Sequence, residues 1–311
     1  MKAGKVLKNG ILIMIVISIV IATFMSGKTA QAAGTIQVES LDEFYDKLSE
    51  QIYDRDAYRY YATSNPDVSN QFVHFSMLDY QLHYREDKPF LSGCYLAYYT
   101  KTLHMSISKQ GTKVLIELPY TKEEMDAHFA KLDRLAVELK GKNDYETVLN
   151  VHDYLIDNFE YDSRMEMGNH TDIDGFRDGV MVCSGYSLAA YYILNSIGIK
   201  TMTIMGSGGE DTSGEINHMW NMVKLDDRWY NLDITWDDLG DGKTSYAYFL
   251  KSDEDFVMHT RSKEYNNDNF RILIADKSYK NPGSFRKTLI ILVSVFIGLI
   301  IIIFLKRDNR L

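Results

Sequence analysis

Three residues in the second half of the chain have the types and order of a thiol-based active site. Cys183 stands in Val182-Cys183-Ser184-Gly185-Tyr186-Ser187, and His218 in Asn217-His218-Met219-Trp220-Asn221. Asp233 stands in Trp229-Tyr230-Asn231-Leu232-Asp233-Ile234-Thr235-Trp236-Asp237. A cysteine supplies the nucleophile, a histidine its base, and a carboxylate holds the imidazole and stabilises its charged form. Each residue alone has an ordinary reading: a buried structural thiol, a packed histidine in a strand, a solvated aspartate. Asp233 is less ordinary than most, because Leu232 and Ile234 flank it and a charge beside a buried sheet needs a partner.

The local elements decide whether the three can meet. Leu188, Ala189, Tyr192, Ile193 and Ile197 recur at helical spacing after Cys183, and Gly198 ends the run. Cys183 therefore starts a helix, where the macrodipole and free N–H groups favour thiolate. Its own backbone N–H is one candidate oxyanion donor. Gly185 permits close approach of another chain or a substrate. Lys200 to Met205 reads as a strand, and Gly206 to Gly214 as a flexible loop without the Lys-Ser/Thr ending of a phosphate loop. Two strands follow, His218 to Leu225 and Arg228 to Thr235, around Asp226-Asp227. If those two residues form the turn, Leu225 faces Arg228, Trp220 faces Asp233 and His218 faces Thr235. His218 and Trp220 share a face, so Asp233 becomes the diagonal neighbour of His218, roughly 7–8 Å away at the backbone. A three-residue turn would send Asp233 to the opposite face.

The chain before Cys183 carries no nucleotide loop or repeat. Ser40 with Glu43, and Thr121 with Glu124, have the spacing of helix-starting capping boxes. Met125, Phe129, Leu132, Ala136 and Leu139 form one stripe of the second helix. Phe72 to Tyr84, Leu91 to Ile107 and Lys113 to Leu118 read as strands. Asp144 to Asn158 reads as a helix with His152 at the edge of its packed face, and Ser163 to Asp178 as a polar loop walling the cleft. Asp237, Asp238, Asp241 and Gly242 fail as a calcium loop, since its third and twelfth positions are Leu239 and Tyr248. A solvated acidic turn is expected there. His170 and His259 are expected to have surface or packing roles.

The 311 residues allow one large domain or two small ones, and 45% hydrophobic with 13% aromatic residues supports a packed core. A net charge of −9 gives no nucleic-acid footprint. The 22 tyrosines are expected to pack half-buried with their hydroxyls at the surface. Residues 1–32 have the order of a secretory signal peptide: Lys2, Lys5 and Lys8, then an apolar run from Ile11 to Met25, then Ala30-Gln31-Ala32. An uncleaved anchor would leave the following chain on the same side. Near the other end, residues 288–305 read as a transmembrane helix, uncharged from Leu289 to Leu305, and 306–311 as a basic cytoplasmic tail. Between them, 33–140 is read as an α+β support region and 141–280 as the catalytic domain, both extracellular at a bacterial cell surface. Cys94 and Cys183 are the two cysteines; outside a membrane they can form a disulfide that would block the nucleophile, and they are too few for a thiolate metal site.

The three motif blocks together resemble the transglutaminase-like superfamily over about Asp144 to His259. Tyr248-Phe249-Leu250-Lys251-Ser252-Asp253 is similar to the strand that follows in bacterial members. The resemblance implies an α+β fold with a papain-like core, its nucleophile helix packed on an antiparallel sheet. It implies Cys183 as nucleophile, His218 as base, Asp233 as orienter, and Trp220 and Trp236 as packing and cleft-lining residues, with no cofactor. The implied activity is attack on amide bonds of a protein or peptide partner through a thioester, released by water in a protease or amidase and by an amine in a crosslinking enzyme. Hydrolysis is the expectation, because no amine site is legible. The alternative is a silent surface binding or scaffold module on the same fold, against which the intact set of three residues counts.

Overall fold

The computed structural model describes residues 35–108, 111–163, 170–209, 217–240, 242–266 and 273–281. The first half contains β1 (Ile36–Gln37), α1 (Leu41–Tyr53), β2 (Tyr58–Ala62), α2 (Pro66–Val73), α3 (Met77–Gln81), α4 (Gly93–Leu96), β3 (Thr102–Ser108), β4 (Gly111–Glu117) and α5 (Lys122–Glu138). Then come α6 (Asp144–Asn158), β5 (Glu160–Tyr161), α7 (Asp172–Asp178), β6 (Val180–Met181) and α8 (Cys183–Ser196). The chain continues through β7 (Thr201–Gly208), β8 (His218–Leu225), β9 (Arg228–Leu232), α9 (Ile234–Asp237) and β10 (His259–Arg261). One four-stranded sheet has the order β1-β2-β4-β3, the other β10-β7-β8-β9. The second sheet is antiparallel throughout and carries α8 against β7 and β8. One hydrophobic cluster joins the halves, running from Phe44 and Leu48 through Leu132 and Val151 to Leu188, Val223 and Leu250, and a smaller one gathers Met202, Ile204, Trp220 and Trp229.

Helix α8 is the centre of this core. Twelve of its fourteen residues are buried, so the single apolar stripe expected from its sequence is in fact burial all round. Its polar side chains are spent inside: Ser187 Oγ donates to Met219 O, Tyr186 OH to Asp238, Tyr191 OH to Pro89 O and Tyr192 OH to Asp133. Satisfied in this way, hydroxyls can enter a core at little cost. Several tyrosines elsewhere behave alike, although Tyr53, Tyr58 and Tyr246 are exposed. Tyr61, Tyr80, Tyr95 and Tyr99 are all fully buried, not half-buried as expected. The helix ends with Ile199 N–H on Leu194 O and Gly198 at φ 92°, a left-handed stop.

Several local expectations fail in the N-terminal half. The segment Phe72 to Tyr84 holds the end of α2 and all of α3, and Leu91 to Ile107 begins with α4, so Cys94 is helical. Asn65 caps α2 before Pro66, and Ser76 caps α3. These caps start helices of one or two turns, too short for helical periodicity to stand out from alternation. The loop expected from Ser163 to Asp178 contains α7, capped by Thr171 and stopped by Gly179 at φ 78°. Both capping-box starts do open helices, α1 at Ser40 and α5 at Thr121, with the reciprocal pair complete only at Thr121.

The β8–β9 hairpin has the register of a two-residue turn: Leu225 pairs with Arg228, and Asn221 with Leu232. Asp226 and Asp227 take φ of 47° and 61°, as a turn matched to strand twist demands. A left-handed conformation costs residues with a Cβ. The exposed Asp227→Gly substitution is therefore expected to stabilise the protein by about 0.5–1 kcal/mol. A rise in the urea midpoint at unchanged slope measures it. The segment 1–32 and the apolar run 288–305 lie outside the described residues. Among the described residues, no helix is long and apolar enough to cross a membrane.

Candidate active site

Cys183 is the first residue of α8, delivered there by the short parallel pair β5–β6. It is 2% exposed. The N-cap Val182 has no side chain able to cap the helix, so no side-chain oxygen competes for the first-turn N–H groups. Gly185, two residues further on, is crowded by Met181 of β6, with whose Cβ an added Cβ would be 3.1 Å apart. Its smallness serves strand-to-helix packing instead of approach by a ligand.

His218 opens β8, and its Nε2 donates to Asp233 Oδ2 at 2.7 Å. With Nε2 so used, Nδ1 is the nitrogen left for the Cys183 thiol, whose hydrogen bond and charge act on this imidazole. Burial opposes the His218 charge, but Asp233 and Cys183 outweigh it and push the group up to about 10. Asp233 is 1% exposed; burial opposes its charge too, yet His218 and His259 hold it down to about 2.

The contact is not made by strand pairing as the sequence suggests. β9 stops at Leu232, short of the expected Thr235, and Asp233 is the N-cap of α9. Its Oδ1 accepts the Trp236 N–H at 3.1 Å, leaving Oδ2 free to face the imidazole. Aspartate at an N-cap competes well with strand continuation because its side chain satisfies a helix donor. The same oxygen has a second partner the sequence did not reveal: His259 Nε2, at 2.8 Å. His259 starts β10, which pairs with β7 and so reaches the site from the far edge of the sheet. It packs among aromatic rings, within the surface or packing role expected, but its contact with Asp233 goes beyond that role and no local motif around it signals the contact.

Aromatic rings close the site. Trp220 stacks on His218 at 5.9 Å and Trp236 lies 5.8 Å away, in keeping with packing and lining roles. Trp220 Nε1 donates to Asn231 Oδ1. β7 extends beyond the expected Met205 to Gly208, so Gly206 and Gly208 are strand residues and not loop. A Cβ on Gly208 would lie 3.1 Å from both His218 Cδ2 and Trp236 Cζ2. Gly208→Ala is expected to displace the imidazole by a few tenths of an ångström. Because misplacement near the chemistry is costly, turnover should fall by about 10- to 10²-fold while the unfolding midpoint changes little. Steady-state rates and thermal melts on one preparation separate the two effects.

Neighbouring polar groups support the frame. Asp237, expected in a solvated acidic turn, is fully buried; it pairs with His152 Nε2 at 3.2 Å and accepts the Tyr248 N–H. His152, expected at the core edge, is itself fully buried. The pair ties α6 to α9, the helix that Asp233 caps. Cys94 and Cys183 are both free. Cys94 contacts the Tyr191 hydroxyl at 3.8 Å, and burial pushes its thiol up to about 11. Among the described residues, His218, Asp233 and His259 form one grouping of metal-ligand types, their nearest atoms within 4.8 Å of one another. Those atoms already hydrogen-bond to each other, which accounts for their closeness without a cation.

Residues 133–234 match the family model of the transglutaminase-like superfamily, a span containing Cys183, His218 and Asp233 but not His259. The chain is 28% identical over 134 residues to Kyphoscoliosis peptidase of Mus musculus, covering 39% of this chain and 20% of that protein. It is 28% identical over 144 residues to the Homo sapiens protein of the same name, covering 41% and 22%. The chain thus spans about a fifth of the length of these curated relatives. Among solved structures, a TGase is 13% identical with a TM-score of 0.34, covering 74% of this chain and 65% of that one.

Proposed function

We propose that this chain, whose residues 133–234 match the transglutaminase-like superfamily, is a thiol enzyme of that superfamily with a papain-like α+β fold, acting on amide bonds of proteins or peptides. One observation carries this reading. A cysteine at the start of a helix adjoins a histidine whose other nitrogen is held by a buried carboxylate. In the proposed reaction the Cys183 sulfur attacks the amide carbon, and negative charge develops on the oxygen beside the uncapped first turn of α8. His218 gives its Nδ1 proton to the leaving nitrogen as the C–N bond breaks, and a thioester remains. His218, now neutral, takes a proton from water or from an amine as that molecule attacks the thioester. Collapse of the second intermediate frees the acid or the new amide and returns the thiol. Asp233 holds the ring throughout and stabilises its charged form.

Hydrolysis is the outcome we favour, and transfer to an amine is the competitor. Incubating the protein with a peptide library and a labelled primary amine decides between them. Cleaved or deamidated peptides without label support hydrolysis; label fixed in peptides overturns it in favour of transfer. Absence of any product from the whole library, with His218 and Asp233 intact, overturns the enzyme reading. The proposal includes location. The apolar runs at 11–25 and 289–305, each flanked by basic residues, favour a catalytic domain outside the cell, held by a C-terminal membrane helix. Protease treatment of intact cells should remove an epitope placed between 33 and 285; protection of that epitope contradicts this arrangement.

A further inference from the structure

His259 has a property that its neighbours impose on it. Its Nε2 lies 2.8 Å from Asp233 Oδ2, and its Nδ1 lies 3.0 Å from the carbonyl oxygen of Val257. Carboxylates and carbonyls only accept hydrogen bonds. A ring that meets an acceptor at each nitrogen must donate from each, and an imidazole protonated on both nitrogens is a cation. A neutral ring would set a nitrogen lone pair against an oxygen lone pair at one of the two contacts.

Two further observations agree. The His259 side chain is 1% exposed and enclosed by rings: Phe256 at 4.1 Å, Trp236 at 4.4 Å, Tyr248 at 5.1 Å and Trp220 at 5.3 Å. Aromatic walls at such distances stabilise a cation. The charge balance also requires one. Cys183 and His218 share a single proton and are neutral as a pair, whether as thiol and imidazole or as thiolate and imidazolium. Asp233 adds one negative charge in a buried site, and burying a net charge is costly. A cationic His259 makes the group of four neutral.

We propose that His259 is a positioning residue that donates from both ring nitrogens: it holds the Asp233 carboxylate from the side away from His218 and withholds part of its charge, so that His218 releases its proton to the leaving nitrogen more readily. The catalytic half of this statement rests on the nucleophile reading of Cys183; the charge of His259 does not. The other titratable groups facing the site do not supply the missing charge. Tyr161 is pushed up to about 12 by burial and by its neighbours Cys183 and Asp233, and Tyr248 is raised by burial and Asp233, so both stay neutral. Asp253 and Arg261, which share a small cavity with His259, pair with each other.

Nitrogen-15 NMR of the histidine-labelled full chain tests the charge directly. At pH 7 the resonances lost in His259→Gln should be those of a ring with both nitrogens protonated. A pattern of one protonated and one bare nitrogen overturns the proposal. The pH profile of Cys183 alkylation tests the positioning role. Its alkaline limb, where His218 loses its proton, should move upward by roughly one unit in His259→Gln and stay near the wild-type position in His259→Lys. An unmoved limb in a folded His259→Gln protein overturns that role. If Cys183 in the wild type is not alkylated faster than Cys94, the nucleophile reading has failed, and the NMR result still decides the charge.

Discussion

Cys183→Ala is expected to abolish amide turnover, with a loss on the order of 10⁴- to 10⁶-fold, while the protein stays folded. The expectation rests on position. The thiol sits where the first turn of α8 offers N–H groups and where His218 presents the nitrogen that Asp233 does not hold. An alanine keeps the helix start, because Val182 and not Cys183 is the N-cap and no side-chain cap is removed. The cavity left by one sulfur should cost about 1 kcal/mol. Cys94→Ala makes the control. That thiol lies against Tyr191 and is raised by burial, so its removal should leave turnover within about twofold of wild type while costing similar stability. Rates on the peptide pool with thermal melts on the same samples check both. Equal activity of Cys183→Ala and wild type would remove the nucleophile from the account.

Asp233→Ala is expected to damage activity and stability together. The carboxylate accepts three hydrogen bonds at a buried position: from His218, from His259 and from the Trp236 N–H. Its removal leaves buried imidazoles without their counter-charge and α9 without its cap. Breaking a buried ion pair typically costs about 3–5 kcal/mol, and losing an N-cap about 1 kcal/mol. Asp233→Asn keeps the cap and the shape, so much of the stability should return. It removes the charge and puts an amide where His218 must donate, so turnover should remain depressed by about 10⁴-fold. The pH dependence has a definite sign. Asp233 is lowered to about 2, so its contribution is full above about pH 4 and is lost as pH falls toward 2. His218 is raised to about 10, so its contribution is full below its ordinary 6.5 and is lost as pH rises toward 10. Wild type should therefore lose melting temperature at both extremes, and Asp233→Asn should lose less at each.

The sequence exposed the parts of this site to different degrees, for identifiable reasons. With Asp226-Asp227 as a two-residue turn the hairpin register was legible, because strand period then fixes which residues face each other. The closeness of Asp233 to His218 followed from that parity, although its means did not. Leu232 and Ile234 look like strand continuation, whereas the Asp233 side chain caps α9. His259 was illegible because its contact is made across the sheet, by β10 pairing with β7, and nothing within its own segment marks it. Tyrosines misled twice. In α8 they made a fully buried helix look one-sided, because their hydroxyls find partners in Asp238, Pro89 and Asp133. In the N-terminal half, aromatic alternation passed for strands where capped helices of one or two turns bury the same rings.

The proposed chemistry depends on activation of Cys183 by His218. The rate of iodoacetamide alkylation at each cysteine near neutral pH, in wild type and in His218→Ala, measures this most directly. Faster labelling of Cys183 than of Cys94, slowed when His218 is replaced, is the predicted result. Equally sluggish labelling of both thiols, unchanged by the substitution, would contradict it.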